Sequence, residues 1–294
     1  MSNYHVSVLL QETIQGLRVE KDKRYIDATL GGGGHAEQIL KLGGEVLGID
    51  TDQEAIAYVK LRVKSDPLLS EARKLKVTKG NFRDIDKIAR LNNFDKVAGI
   101  IFDLGVSSHQ IDKPERGFSF QNVGPLDMRM DQELGVTARD LIKILTKGEL
   151  NEIFTEFGEE SRSWEISDAI VRARSIKPIE TTEDLAKIVF PIAGQSKKVF
   201  QALRIVINDE LNSIAEALPK ALELLEDQGR LCVISFHSLE DRIVKRKFIE
   251  FEEKGKGKII TEKPIVPSDE ELEANKRSGS AKLRIFEAHS ASSG

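Results

Sequence analysis

Four consecutive glycines, Gly31 to Gly34, lie between a short apolar run (Arg24-Tyr-Ile-Asp-Ala-Thr-Leu30) and a helical stretch (His35-Ala-Glu-Gln-Ile-Leu-Lys41), and no other segment narrows the fold as much. A second apolar run, Glu45-Val-Leu-Gly-Ile49, then ends in Asp50. The order is strand, glycine turn, helix, strand, acid. Glycine lets backbone approach a ligand closely and adopt positive φ without steric cost. Free N–H groups at the next helix start favour negative charge. An acid at the tip of the second strand is placed to take the two hydroxyls of a ribose. The unit therefore reads as a nucleoside site, with a purely structural glycine turn as the rival reading.

Which nucleoside stays open at this point. Gly31-Gly32-Gly33-Gly34-His35-Ala36 fits the dinucleotide fingerprint G-x-G-x-x-A, with Asp50 nineteen residues after Gly31. It equally fits the glycine turn of S-adenosylmethionine-dependent methyltransferases, which often carry an acid on the first strand, as Asp27 does here.

The alternation of strands and helices continues through Lys74–Thr78 and Phe94–Phe102, the latter closed by Asp103-Leu-Gly-Val-Ser-Ser108. It predicts a parallel, doubly wound α/β sheet. From about residue 112 to 198 the rhythm gives way to helical patterns at 138–145, 147–157, 164–174 and 182–189. It resumes with one long helix over 199–225, a strand over 231–236, a helix that Ser238 caps with Asp241, and a last apolar run at 283–286. Residues 255–281, rich in Gly, Lys, Glu, Ser and Pro, read as a mobile loop. The expected organisation is one sheet domain (1–111 and 199–294) interrupted by a helical, substrate-recognising insertion (112–198).

Composition is that of an ordinary globular chain: 294 residues, 40% hydrophobic, 31% charged. No apolar stretch approaches a membrane span, and the N-terminus lacks a signal-peptide pattern, so a cytoplasmic enzyme is expected. The single cysteine, Cys232, excludes an internal disulfide and a cysteine-built metal site, and no metal is expected. It lies within the apolar run of the fifth strand, where a thiol is inert. Methylation at carbon 5 of a pyrimidine, which needs an exposed nucleophilic cysteine, is thereby excluded. Net charge is −4, yet Arg242 to Phe286 holds twelve Lys or Arg against eight Asp or Glu, enough for a local phosphate-binding patch.

In an open parallel sheet the ligand lies beyond the carboxyl ends of the strands. Four polar clusters fall there: Gly31–His35, Asp50, Asp103–Gln110 and Ser235-Phe-His-Ser238. Asp103 emerges from a buried strand where a second substrate would meet the cofactor. His237 is flanked by serines but lacks a G-x-S-x-G elbow, so it faces the ligand edge from just before a helix. Arg242, Lys245 and Arg246 share one helical face, suited to a polyanion or simply solvated. Phe200, Leu203, Ile207, Leu211 and Ile214 follow core spacing, whereas Gln201, Arg204 and Asn208 form a polar stripe that could reach the site. In Gly124-Pro-Leu-Asp-Met-Arg-Met-Asp131, Leu126, Met128 and Met130 alternate with Asp127, Arg129 and Asp131, the pattern of a short edge strand.

Together these motifs resemble the MraW/RsmH family, bacterial methyltransferases of the N4 amine of a cytosine in small-subunit ribosomal RNA. The matching segments are His5-Val-Ser-Val-Leu9, Gly31–His35, Gly48-Ile-Asp50, Asp103–Ser108, Arg116-Gly-Phe-Ser-Phe120, Gly124–Asp131, Phe200-Gln-Ala-Leu-Arg204 and Ser235–Lys245, nearly the whole chain. The resemblance implies a Rossmann-like methyltransferase sheet with a helical insertion and S-adenosylmethionine as cofactor. Its cofactor contacts fall on Gly33, Gly34, His35, Asp50, Phe82, Asp103 and Gln110. Beside these contacts, the residues themselves offer Asp103 as the catalytic acceptor and His237 as the second catalytic candidate, with Arg129, Arg204, Asn208, Arg242 and Arg246 as candidate contacts to ribosomal RNA or the ribosomal subunit. A homodimer stays open. Asn275-Lys-Arg-Ser-Gly-Ser280 departs from the family pattern, as do Ser161, Glu165 and Asp168, all in regions of RNA docking. Two rivals remain: a nicotinamide-dependent oxidoreductase, and an RNA-binding assembly factor that holds a cofactor pocket without turnover.

Overall fold

A computed structural model describes residues 7–65 and 74–289. His5 and Val6 of the first motif lie outside the described residues. The chain divides into two compact units, Met1–Gly105 with Leu211–Gly294, and Val106–Glu210.

The first unit is built on a seven-stranded sheet: β1 (Arg24–Asp27), β2 (Glu45–Asp50), β3 (Leu75–Lys79), β4 (Val97–Asp103), β5 (Leu225–Ser235), β6 (Gly257–Ile259) and β7 (Lys282–Ala288). The strand order is β3-β2-β1-β4-β5-β7-β6. β1 to β5 pair in parallel, whereas β7 runs antiparallel to both β5 and β6. Consecutive residues of a strand point to opposite faces. Ile100 and Phe102 of β4 and Leu231 and Val233 of β5 accordingly join one core. Ile101, Cys232 and Ile234 join the other. Burial on both faces is what makes these strands read as continuous apolar runs. The order reverses between β1 and β4, and a ligand crevice opens at such a switch point, beyond the carboxyl ends.

In this unit the 255–281 segment differs from the mobile loop expected of its composition. It forms β6, a helix Asp269–Ala274 and a 3₁₀ turn Lys276–Ser280. Its order comes from distant partners: the Ile260 and Ile265 amides donate to the Ile285 and Leu283 carbonyls. Ser268 and Asn275 cap the helix and the turn.

The second unit carries helices Ala138–Ile144, Lys147–Glu156, Ser163–Ile176, Thr182–Ala193 and Lys197–Asn208. Thr137/Asp140, Thr146/Glu149 and Thr181/Asp184 form reciprocal caps that fix three of their starts. Leu126, Ile142, Phe154, Ile166, Val189 and Leu203 share its core. The helix Lys197–Asn208 belongs here, so the unit runs wider than the 112–198 read from the sequence. The single helix expected over 199–225 is two, broken at Asp209, whose φ of 49° is left-handed. The 124–131 segment is not a strand: only an isolated bridge joins Pro125 to Thr181, and Met128 is left-handed at φ 64°. Leu126 and Met128 are nevertheless buried, as their alternation predicts.

Candidate active site

The glycine turn follows β1, with Gly31 and Gly33 at φ 49° and 77°, values that L side chains rarely adopt. Gly34 opens the helix Gly34–Lys41, and a Cβ there would fall 2.1 Å from the Ser7 hydroxyl oxygen. Close approach to this hydroxyl, not φ, is what a side chain at that position would meet.

Three acids surround this turn at neighbouring strand ends. Asp50 accepts the Gly31 N–H on Oδ2 at 2.7 Å and the Asp52 N–H on Oδ1 at 2.8 Å. Burial nevertheless pushes its carboxyl up to about 6. Asp27 is 1% exposed and accepts the Thr29 N–H at 3.3 Å. Burial, reinforced by the charges of Asp103 and Asp50, raises it to about 7. Asp103 donates its own N–H to Thr29 Oγ1 at 2.6 Å, and its Oδ2 lies 3.7 Å from Nδ1 of the buried His35. Phe82 follows β3 and packs edge-on against Phe102, ring centroids 5.5 Å apart. Gly33, Gly34, His35, Asp50 and Asp103 thus converge at the switch point, together with Asp27 and Thr29.

This donor set discriminates between cofactors. Three acids around one turn, Asp27 and Asp50 among them raised by burial, suit a ligand that brings a ribose diol and positive charge. S-adenosylmethionine carries both, on its ribose and on its sulfonium and amino groups, and the residues present fit it.

His237 ends up on a different footing from its sequence reading. The cap of the helix Ser238–Glu253 is His237 itself, not Ser238, and its reciprocal partner is Glu240, not Asp241. His237 Nδ1 accepts the Glu240 N–H at 3.4 Å. Glu240 Oε2 accepts the N–H groups of Phe236 and His237 at 2.7 and 3.2 Å. With Nδ1 an acceptor, the neutral ring carries its proton on Nε2, 3.2 Å from Glu240 Oε1. Asp241 is drawn instead to Arg284, which donates from Nε at 2.6 Å and from Nη2 at 3.2 Å and ties the helix to β7. Arg242, Lys245 and Arg246 are exposed on that helix. Cys232 is fully buried, and burial pushes its thiol up to about 12, in keeping with an inert residue.

Gln110, Arg129, Arg204 and Asn208 belong to the helical unit. Gln110 is buried and its side-chain oxygen accepts the Ser107 N–H at 2.9 Å in a reciprocal cap. Arg129 grips Asp127 through Nε and Nη2, both at 2.8 Å. Arg204 does the same with Glu210 at 2.8 and 2.9 Å. Asn208 accepts the Met130 N–H at 2.7 Å and donates to the Met128 carbonyl at 2.9 Å. Arg116, which the sequence reading passed over, is 1% exposed and donates to the carbonyls of Arg129 and Met130 at 3.1 and 3.0 Å. Thr29 and Glu240 were missed as well. The three-residue spacing of a reciprocal cap would have found Glu240 once the cap was set at His237.

Known proteins place the chain clearly. Residues 2–289 match the MraW methylase family. The ribosomal RNA small subunit methyltransferase H of Lachnospira eligens is 43% identical over 310 residues, covering 96% of this chain and 97% of its own. The protein of that name from Carboxydothermus hydrogenoformans is 44% identical over 307 residues, with the same coverages. That from Fusobacterium nucleatum is 43% identical over 310 residues, covering 97% of both chains.

Proposed function

Because the chain belongs to the MraW methylase family, we propose that it transfers a methyl group from S-adenosylmethionine to the N4 amine of a cytosine in small-subunit ribosomal RNA. The observation that carries this reading is the three-acid cluster around the glycine turn at the β1/β4 switch point. It favours a cationic, phosphate-free nucleoside over a nicotinamide dinucleotide.

The bound cofactor supplies a methyl group made electrophilic by its sulfonium. Asp50 takes the ribose hydroxyls, the backbone at Gly33 and Gly34 borders the methionine portion, His35 completes the contacts, and Phe82 lies against the adenine. The cytosine amine is a poor nucleophile because its lone pair is delocalised into the ring. An acceptor for its N–H favours the pyramidal form with the lone pair free. Asp103, with its carboxylate at the end of β4, is that acceptor. His237 has Nδ1 on the Glu240 N–H and Nε2 3.2 Å from Glu240 Oε1, so Glu240 fixes the ring, which positions the base. Positioning supplies much of the acceleration. The helical unit recognises the RNA, with Arg116, Arg129 and Asn208 holding the loop around residue 130 in shape. Arg242 and Arg246 contact phosphates. Among the described residues no helix is long and apolar enough to cross a membrane, and we place the reaction in the cytoplasm.

Transfer of a labelled methyl group to small-subunit ribosomal RNA, followed by nucleoside analysis, tests this. The expected product is N4-methylated cytidine. RNA bound under saturating cofactor but never labelled would overturn the enzyme reading in favour of a binding factor.

A further inference from the structure

The ordered 260–281 segment reaches the far end of the chain. Its helix Asp269–Ala274 is capped by Ser268, whose Oγ accepts the Glu271 N–H at 3.2 Å. The Glu271 side chain then accepts the Leu9 N–H on Oε1 at 2.8 Å, a bond between residues 262 positions apart. Leu9 is left-handed, φ 51° and ψ 37°, and its side chain is wholly buried in a core shared with Ala36 and Ile39. A left-handed leucine persists only where its surroundings over-determine it. Here the buried side chain holds one end and the Glu271 carboxylate the other.

Two residues upstream, the Ser7 hydroxyl occupies the space that a Cβ on Gly34 would fill. Gly34 is the first residue of the helix whose N-terminus completes the glycine turn. Contacts therefore run from Glu271 to Leu9, along the backbone to Ser7, and from Ser7 onto the turn.

We propose that Glu271 is a positioning residue for the cofactor: by fixing Leu9 it keeps Ser7 seated on Gly34 and so pre-sets the backbone of the glycine turn. This rests on the S-adenosylmethionine reading above. A turn held in its bound shape binds more tightly because less ordering is left to the ligand. The bond needs an acceptor oxygen at position 271, and a carboxylate makes it stronger than a neutral group would.

The test compares Glu271→Ala and Glu271→Gln with the wild type, reading S-adenosylmethionine affinity, its dissociation rate, and amide exchange in the 7–13 segment. Glu271→Ala should weaken binding about tenfold, the low end of what a hydrogen bond to a charged group supplies. Dissociation should quicken and exchange in 7–13 should rise. Glu271→Gln keeps an acceptor oxygen and should recover most of the loss. A lower melting temperature with unchanged affinity and dissociation rate is the mark of a merely structural contact, and it overturns the proposal. Should Glu271→Ala fail to fold, Ser7→Ala removes the hydroxyl against Gly34 while leaving the Leu9 bond. Faster dissociation is then expected, and an unaltered rate overturns the proposal. A wild-type protein that binds no S-adenosylmethionine overturns the cofactor reading and the strap with it; a wild-type binder with an indifferent Glu271→Ala variant overturns the strap alone.

Discussion

Asp27 holds a carboxyl that folding buries almost completely, beside two further acids, and its removal has a calculable effect on stability. The native group keeps its proton up to about pH 7, whereas in the unfolded chain the same group ionises near its ordinary value of 3.8. Across that window the native state binds more protons than the unfolded state. Stability contributed at this site therefore falls as pH rises through it. The penalty is absent below about pH 4 and fully present above about 7. At about 1.4 kcal/mol for each tenfold change in proton affinity, the charged form costs at most roughly 4 kcal/mol. Asp27→Asn removes the charge and keeps an oxygen for the Thr29 N–H. Its new amide hydrogens must also be desolvated, at about 1–3 kcal/mol, so a net gain of about 2 kcal/mol is expected at pH 8. For a protein of 294 residues that is a rise of about 3 °C in melting temperature. Melting curves of both proteins from pH 5 to 8, without cofactor, provide the assay. The advantage of Asp27→Asn should grow across the range, while its affinity for the cationic cofactor should fall. An asparagine variant less stable than wild type at pH 8, or a difference independent of pH, would refute the reasoning.

Three other outcomes follow from the same geometry. Asp50→Ala removes the proposed ribose acceptor and the brace on the Gly31 amide. A hydrogen bond to a charged group is worth about 1.5–3 kcal/mol, so calorimetry should show a roughly ten- to hundredfold weaker S-adenosylmethionine complex; unchanged affinity in a folded variant refutes the ribose role. Cys232→Ala should keep full methyl transfer at saturating cofactor with a modest loss of melting temperature from the cavity, and a folded, saturated but inactive variant would restore cysteine chemistry. Arg242→Glu combined with Arg246→Glu should weaken RNA binding and flatten its salt dependence while sparing the cofactor, because phosphate contacts release counterions. Unaltered RNA affinity and salt slope at two salt concentrations would sink the docking role.

How much of this was legible in the sequence depends on how local the determinants are. The turn at 31–34, the strands around it and Asp50 are written within one strand-helix-strand unit, and the structure keeps them almost residue for residue. The 255–281 segment was misread because its order is borrowed: Ile260 and Ile265 pair with β7, beyond the reach of any window of composition. The break at Asp209 was hidden for a similar reason. Helical spacing continues across it, but the Asn208 side chain is spent on Met128 and Met130, some eighty residues away. The cap at His237 was missed by one position because serine is the commoner capping residue and stands next to it.

The basic residues of the proposed RNA-binding surface show the deeper limit of pattern reading. Arg116, Arg129, Arg204, Arg242 and Arg246 carry the same charge, the first four within motif segments and the last directly after one, yet burial divides them. A guanidinium taken out of water must find partners for its donors. Arg116 finds backbone carbonyls, and Arg129 and Arg204 find carboxylates at 2.8 Å. The Arg129 pair fixes loop shape at short range, so a substitution there should disturb recognition by moving backbone. Arg242 and Arg246 are exposed on a helix whose Asp241 is committed to Arg284. Both side chains are exposed, and a phosphate contact depends on exposure of this kind rather than on the count of basic residues.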